Sequence, residues 1–192
     1  MKVSSPKAIL DLDYWKLTVE QGNGTWRMVS LRDIDYIFDE DIIPQGQVRR
    51  YYDQEHKLRM VIRPECITIK RDYAWNGNSP KCGVRFLWRD WWFGTPDFFP
   101  QTVKASQLHD ALFQFSGLMP DFIQLPFTLP QANSFYHQIA KAHGHPLDDT
   151  YHLVLKICAA RSWAKPNPLL TSTIEHENNP PVTVSSNYAC AV

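Results

Sequence analysis

Long apolar runs are missing from this sequence. No stretch of about 18 consecutive apolar residues occurs in its 192 positions, which argues against a membrane span. Net charge is missing too. Twenty basic residues balance twenty acidic ones, so no global field draws the chain to nucleic acid or to an acidic membrane. Arg49-Arg50 and Lys70-Arg71 are basic pairs, but Asp and Glu interleave throughout, and no nucleic-acid role is expected. The opening Met-Lys-Val-Ser-Ser-Pro lacks the apolar segment of an export signal. Close cysteine pairs are absent: Cys66, Cys82, Cys158 and Cys190 are scattered, unlike a disulfide framework or a cysteine-only zinc site. These features lead us to expect mostly buried free thiols and a cytoplasmic or virion-associated protein. No internal repeat is present.

Aromatics, by contrast, are plentiful, with seven Trp, eight Tyr and ten Phe in a chain that is 44% hydrophobic. That supply is enough for one domain with a sizeable core. Residues 1 to about 70 read as β-rich. Trp15, Leu17 and Val19 alternate before the Gln21-Gly22-Asn23-Gly24 turn, and residues 26–31 run extended after it, a hairpin pattern. Residues 48–52 and 58–62 flank a second turn, and residues 66–70 alternate as a further strand. The acidic stretch 33–41 fits a short helix or a loop equally well. Residues 73–100, rich in Asn, Gly, Ser, Pro and aromatics, read as an ordered irregular loop. Its rings either plug one end of the core or form an apolar mouth or interface.

Helical periodicity begins at residue 102. Ala105, Leu108, Ala111, Leu112 and Phe115 recur at steps of three and four, which sets one apolar face on a helix over 102–116, with Thr102 as its N-cap. His109 and Asp110 sit at the edge of that face. A half-desolvated histidine beside a carboxylate is the strongest chemical lead in the chain. A second helix is expected over 130–142, with Asn133 and His137 together on a solvated or helix-packing side. A third is expected from Asp148 to about residue 164. Residues 166–192 have no periodicity and are expected to form a mostly disordered tail. The expected architecture is a single α+β domain over 1–165, a small antiparallel sheet with hairpins followed by three packed helices.

Three segments resemble one family. Trp75-Asn76-Gly77-Asn78-Ser79-Pro80 is similar to a loop motif W-D-G-x-S-x-P. Ala105-Ser106-Gln107-Leu108-His109-Asp110-Ala111-Leu112-Phe113 is similar to a helix motif A-S-x-x-H-D-x-L-Y. Gln131-Ala132-Asn133-Ser134-Phe135-Tyr136, with Tyr136 in the aromatic slot, is similar to a third motif, A-D-x-x-F. In that order they resemble the phage and prophage domain-of-unknown-function family 1353, over residues 45–164. The resemblance implies association with phages or mobile elements, and a phage or host protein as partner. Four departures stand out: Asn76 and Asn133 replace acids, Phe113 replaces Tyr, and Pro80 falls one place early. An Asn brings no negative charge, so Asp110 would be left alone as an anionic ligand and would hold a divalent cation, calcium first among them, weakly or not at all.

The loop followed by a His-Asp helix is also similar, as an arrangement of groups, to phospholipase A2. That analogy makes His109 the general base and Asp110 the calcium ligand, with backbone oxygens around Asn76, Gly77, Asn78 and Ser79 completing the shell. Asn133 and His137 are the further candidates for lining the site. Two readings follow: a small or degenerate hydrolase using His109, or a non-catalytic interaction module that binds through its aromatic loop. Each has a structural counterpart, with His109 bonded within the core and the loop a tight turn. His143-Gly144-His145 lacks a third metal ligand, and Cys82 has little to activate it as a nucleophile.

Overall fold

A computed structural model describes residues 1–4, 15–19, 26–75, 82–86, 89–93, 100–117, 123–145, 163, 170–176 and 179–184. In chain order the elements are β1 (Val3–Ser4), β2 (Trp15–Val19), β3 (Trp26–Ser30), β4 (Ile34–Phe38), β5 (Gln47–Tyr52), β6 (Leu58–Arg63), β7 (Cys66–Ile69), β8 (Ala74–Trp75), β9 (Cys82–Phe86) and β10 (Arg89–Phe93). Helices α1 (Val103–Gln114) and α2 (Leu129–Ala142) follow, then β11 (Thr171–His176) and β12 (Asn179–Val184). The fold is α+β, as expected. Seven strands form one antiparallel sheet in the order β1-β4-β7-β6-β5-β11-β12, and β2-β3-β8 form a second; β9 and β10 pair as a hairpin. Two α-helices lie among the described residues, and the expected third lies outside them.

The sheet is larger than expected because two stretches join it. In β4 the pattern is strictly alternating: Ile34, Tyr36 and Phe38 are buried, Asp35 and Ile37 exposed. That makes it a strand, not the helix or loop expected for 33–41. The acids in and just before it serve as acceptors: Thr68 Oγ1 of β7 donates to Asp35 at 2.7 Å, and the Arg71 amide, in the turn after β7, donates to Asp33 at 2.8 Å. The second stretch is β11, which pairs with β5 from Thr171↔Tyr52 to His176↔Gln47. The expected structureless tail is therefore corrected over Thr171–His176 and Asn179–Val184. The run Thr171-Ser172-Thr173-Ile174 is rich in β-branched residues, whose stiff side chains suit a pleated surface. The expected irregular loop over 73–100 is corrected in part, since β8, β9 and β10 fall inside it.

Both helices pack on the sheet face that carries Tyr36, Tyr51, Met60, Ile62, Ile67 and Ile69. Burying an aliphatic side chain of this kind is worth about 1.5–3 kcal/mol. Polar anchors set the position of α1. The Tyr36 hydroxyl lies 2.8 Å from both the Lys104 carbonyl and Gln107 Oε1, and the Trp75 indole donates to Ser106 Oγ at 3.0 Å. Phe38 and Phe127 stack beside Phe135 of α2, and the Val3 amide donates to Gln138 Oε1 at 3.0 Å.

Candidate functional site

The α1 periodicity holds: Ala105, Leu108, Ala111, Leu112 and Phe115 are all buried. The N-cap does not. Thr102 has right-handed helical φ and ψ and makes no side-chain cap, because a 3₁₀ turn at Pro100–Thr102 leads straight into the helix. Helix α1 is buried on more than its apolar stripe. Lys104, Ser106, Gln107 and His109 are buried as well, since sheet and α2 enclose different sides of it.

His109 faces α2 and is 2% exposed. Its Nε2 lies 3.1 Å from Asn133 Oδ1. Its Nδ1 lies 3.8 Å from Asp110 Oδ1, beyond hydrogen-bond range, and has no hydrogen-bond partner among the described residues. Phe113 covers the imidazole with ring centroids 4.3 Å apart, Tyr136 meets it edge-on at 5.5 Å, and Trp163 packs against Phe113. Asp110 is the more open member of the pair, with its side chain 16% exposed.

Asn133 is held by a well-defined helix start. Thr128 and Gln131 form a capping box, with the Thr128 amide donating to Gln131 Oε1 at 2.8 Å, and Pro130 occupies the first turn, where no amide is needed. Of the solvated and helix-packing sides expected for Asn133, the structure has the second: it is 1% exposed and meets His109 of α1. His137, one turn further along α2, is half-buried.

Of the candidate residues, the structure therefore brings His109, Asp110 and Asn133 together. Asn76, Gly77, Asn78 and Ser79 lie outside the described residues. Trp75, immediately before them, is buried and bonded to Ser106, one turn before His109. Sequence reasoning did not single out Ser106 or Phe113 as site neighbours. Their signal was the motif spacing, which puts Ser106 and Phe113 three and four residues from His109 on the same side of a helix.

His143 and His145, after α2, are buried, and burial followed by the nearby Lys104 charge holds the His143 imidazole below its usual value. No group of three His, Cys, Asp or Glu among the described residues is arranged to hold a metal ion. Cys66 is free and half-buried, its thiol pushed up by burial and then by Asp35, a poor setting for a nucleophile. A cavity of about 290 Å³ lies elsewhere, lined by Asp53, Glu55, Arg59, Asp72, Tyr73 and Gln114 among others, and His109 is not on its wall. No helix among the described residues is long and apolar enough to cross a membrane. No family model, curated protein or solved structure matches the chain.

Proposed function

We propose that this chain is a phage- or prophage-associated accessory protein with a small hydrolase-type centre, in which His109 is the proton acceptor and Asp110 the carboxylate beside it. One observation carries the reading. A buried imidazole keeps a nitrogen with no hydrogen-bond partner among the described residues, 3.8 Å from a carboxylate that is itself partly open. Buried polar groups are otherwise paired, and an unpaired one calls for a role. A positioned base takes a proton from water and returns it to the leaving group. The association with phages rests on the three sequence motifs. With Asn76 and Asn133 in place of acids, any calcium is held weakly. A phage or host protein is the expected partner, nucleic acid is not, and the cytoplasm or the virion is the expected location.

The test is hydrolysis of short-chain aryl esters and of phosphatidylcholine vesicles, with and without calcium. Turnover by the native chain that disappears in His109→Ala, with circular dichroism unchanged, supports the reading; a native chain inert on both overturns it. The second reading is a non-catalytic interaction module. The 2% exposure of His109 favours it. On that reading the variant loses stability instead.

A further inference from the structure

We infer that Asn133, and not Asp110, is the positioning residue for His109, and that it fixes the imidazole with its hydrogen on Nε2 and its accepting lone pair on Nδ1. This rests on the proposed reading of His109 as proton acceptor. Adjacent histidine and aspartate invite a different picture, in which the carboxylate takes the ring N–H and sets the tautomer. The geometry points away from it. Only the contact to Asn133 Oδ1, at 3.1 Å, is a hydrogen bond; the 3.8 Å to Asp110 Oδ1 is not.

The cause lies in the helix. Residues one apart point about 100° away from each other, so His109 and Asp110 cannot meet face to face from consecutive positions on α1. Asn133 comes from another helix, is 1% exposed, and reaches the ring from across the α1–α2 interface. Phe113 over the ring and Tyr136 at its edge oppose a turn of the imidazole toward Asp110. A neutral imidazole has one donor and one acceptor nitrogen. With a carbonyl oxygen at Nε2, that nitrogen carries the hydrogen and Nδ1 is the acceptor.

The assignment defines the proton path. An O–H, from water or from a substrate hydroxyl, loses its proton to Nδ1. The ring becomes an imidazolium with Nε2–H still on Asn133 and the new N–H facing Asp110. Asp110 then acts through its charge alone, on a cation that exists only after the transfer.

Nitrogen-resolved NMR of the imidazole tests this on the full chain, at a pH where the ring is neutral, with His109→Gln used to assign the signal. The expected result is a protonated, slowly exchanging Nε2 and an unprotonated Nδ1. Asp110→Asn should leave that pattern in place. Asn133→Leu should erase the slow Nε2–H signal, and Asn133→Asp, which retains an acceptor, should restore it. A hydrogen found on Nδ1 overturns the inference, as does a tautomer that changes in Asp110→Asn and not in Asn133→Leu. If the tautomer is as expected but esters and vesicles are not hydrolysed, the positioning role stands and the hydrolase reading falls.

Discussion

Arg50 grips Glu175 through two N–H···O bonds, 2.8 Å from Nε and 2.7 Å from Nη2, and so ties the middle of β5 to a strand 125 residues later. Six Cα pairs between β5 and β11 reinforce the contact, and Leu170, just before β11, is buried in the core. Removing everything after Lys165 should therefore lower the melting temperature by more than about 5 °C, the shift that roughly 1 kcal/mol produces in a domain of this kind. A melting curve unchanged by the truncation would show that β11 contributes nothing to the fold.

Acid should weaken the same attachment. The hydrogen bond from Arg50 holds the Glu175 carboxyl below its usual 4.5. A folded value lower than the unfolded one means that the contribution is fully present above about 4.5 and is lost as pH falls through the lowered folded value. Asp53 behaves alike: burial raises it, but the Lys57 amide, the Arg59 guanidinium and the Glu55 amide together hold it below 3.8. The urea midpoint should fall between about pH 6 and about pH 3. Glu175→Gln should shallow that fall, and a variant with the native slope would remove Glu175 from the explanation.

His109 and Asn133 should be energetically coupled. Each is buried, and removing either strands the other, at a cost of about 1–3 kcal/mol. In a double-mutant cycle with His109→Leu and Asn133→Leu, the double variant should be less destabilised than the sum of the singles, by about 1 kcal/mol. Additive effects would mean that the 3.1 Å contact contributes no net energy.

Divalent metal should bind weakly at most. Asp110 is the one carboxylate at the imidazole among the described residues, and hard cations need several oxygen ligands. Calorimetric titration with calcium and with zinc should show no submicromolar site, and a tight site for either would require ligands beyond those described.

How much of this was legible beforehand depended on the range of the interactions. Helix α1 was readable because Leu108, Leu112 and Phe115 announce it at local spacing, and the two hairpins because their strands lie within a turn of each other. The β4 strand was hidden by its own chemistry. Asp33, Asp35 and Asp39 look solvated until Lys70, Thr68 and the amide of Lys2 arrive as partners from elsewhere in the chain. The tail carried a local signal in Thr171-Ser172-Thr173-Ile174, masked by flanking Pro and Asn, while its decisive partner, Arg50, is far away in sequence. Asn133 shares a helix side with His137, and two polar residues together read equally as a wet surface or a helix-packing one. What buries Asn133 is α1, and no periodicity within α2 encodes that.

The Trp75–Ser106 bond offers the sharpest test of how the motif loop is tied to the His109 helix. The indole N–H donates to Ser106 Oγ at 3.0 Å, and that hydroxyl donates in turn to the Val103 carbonyl at 2.9 Å, inside α1. Trp75 and Ser106 are both buried, so water cannot replace a lost partner. Ser106→Ala should therefore cost about 1–3 kcal/mol, the desolvation penalty of the stranded indole N–H, although Ala is the better helix former. Trp75→Phe removes the donor and part of the ring, and should cost a similar amount mainly through the cavity it leaves. In the double variant no indole N–H is left unpaired, so the serine change should add little on the Trp75→Phe background. Urea midpoints of the three variants decide the matter. If Ser106→Ala costs as much with Phe at position 75 as with Trp, the serine acts within α1 alone, and the bond does not hold the loop to the helix.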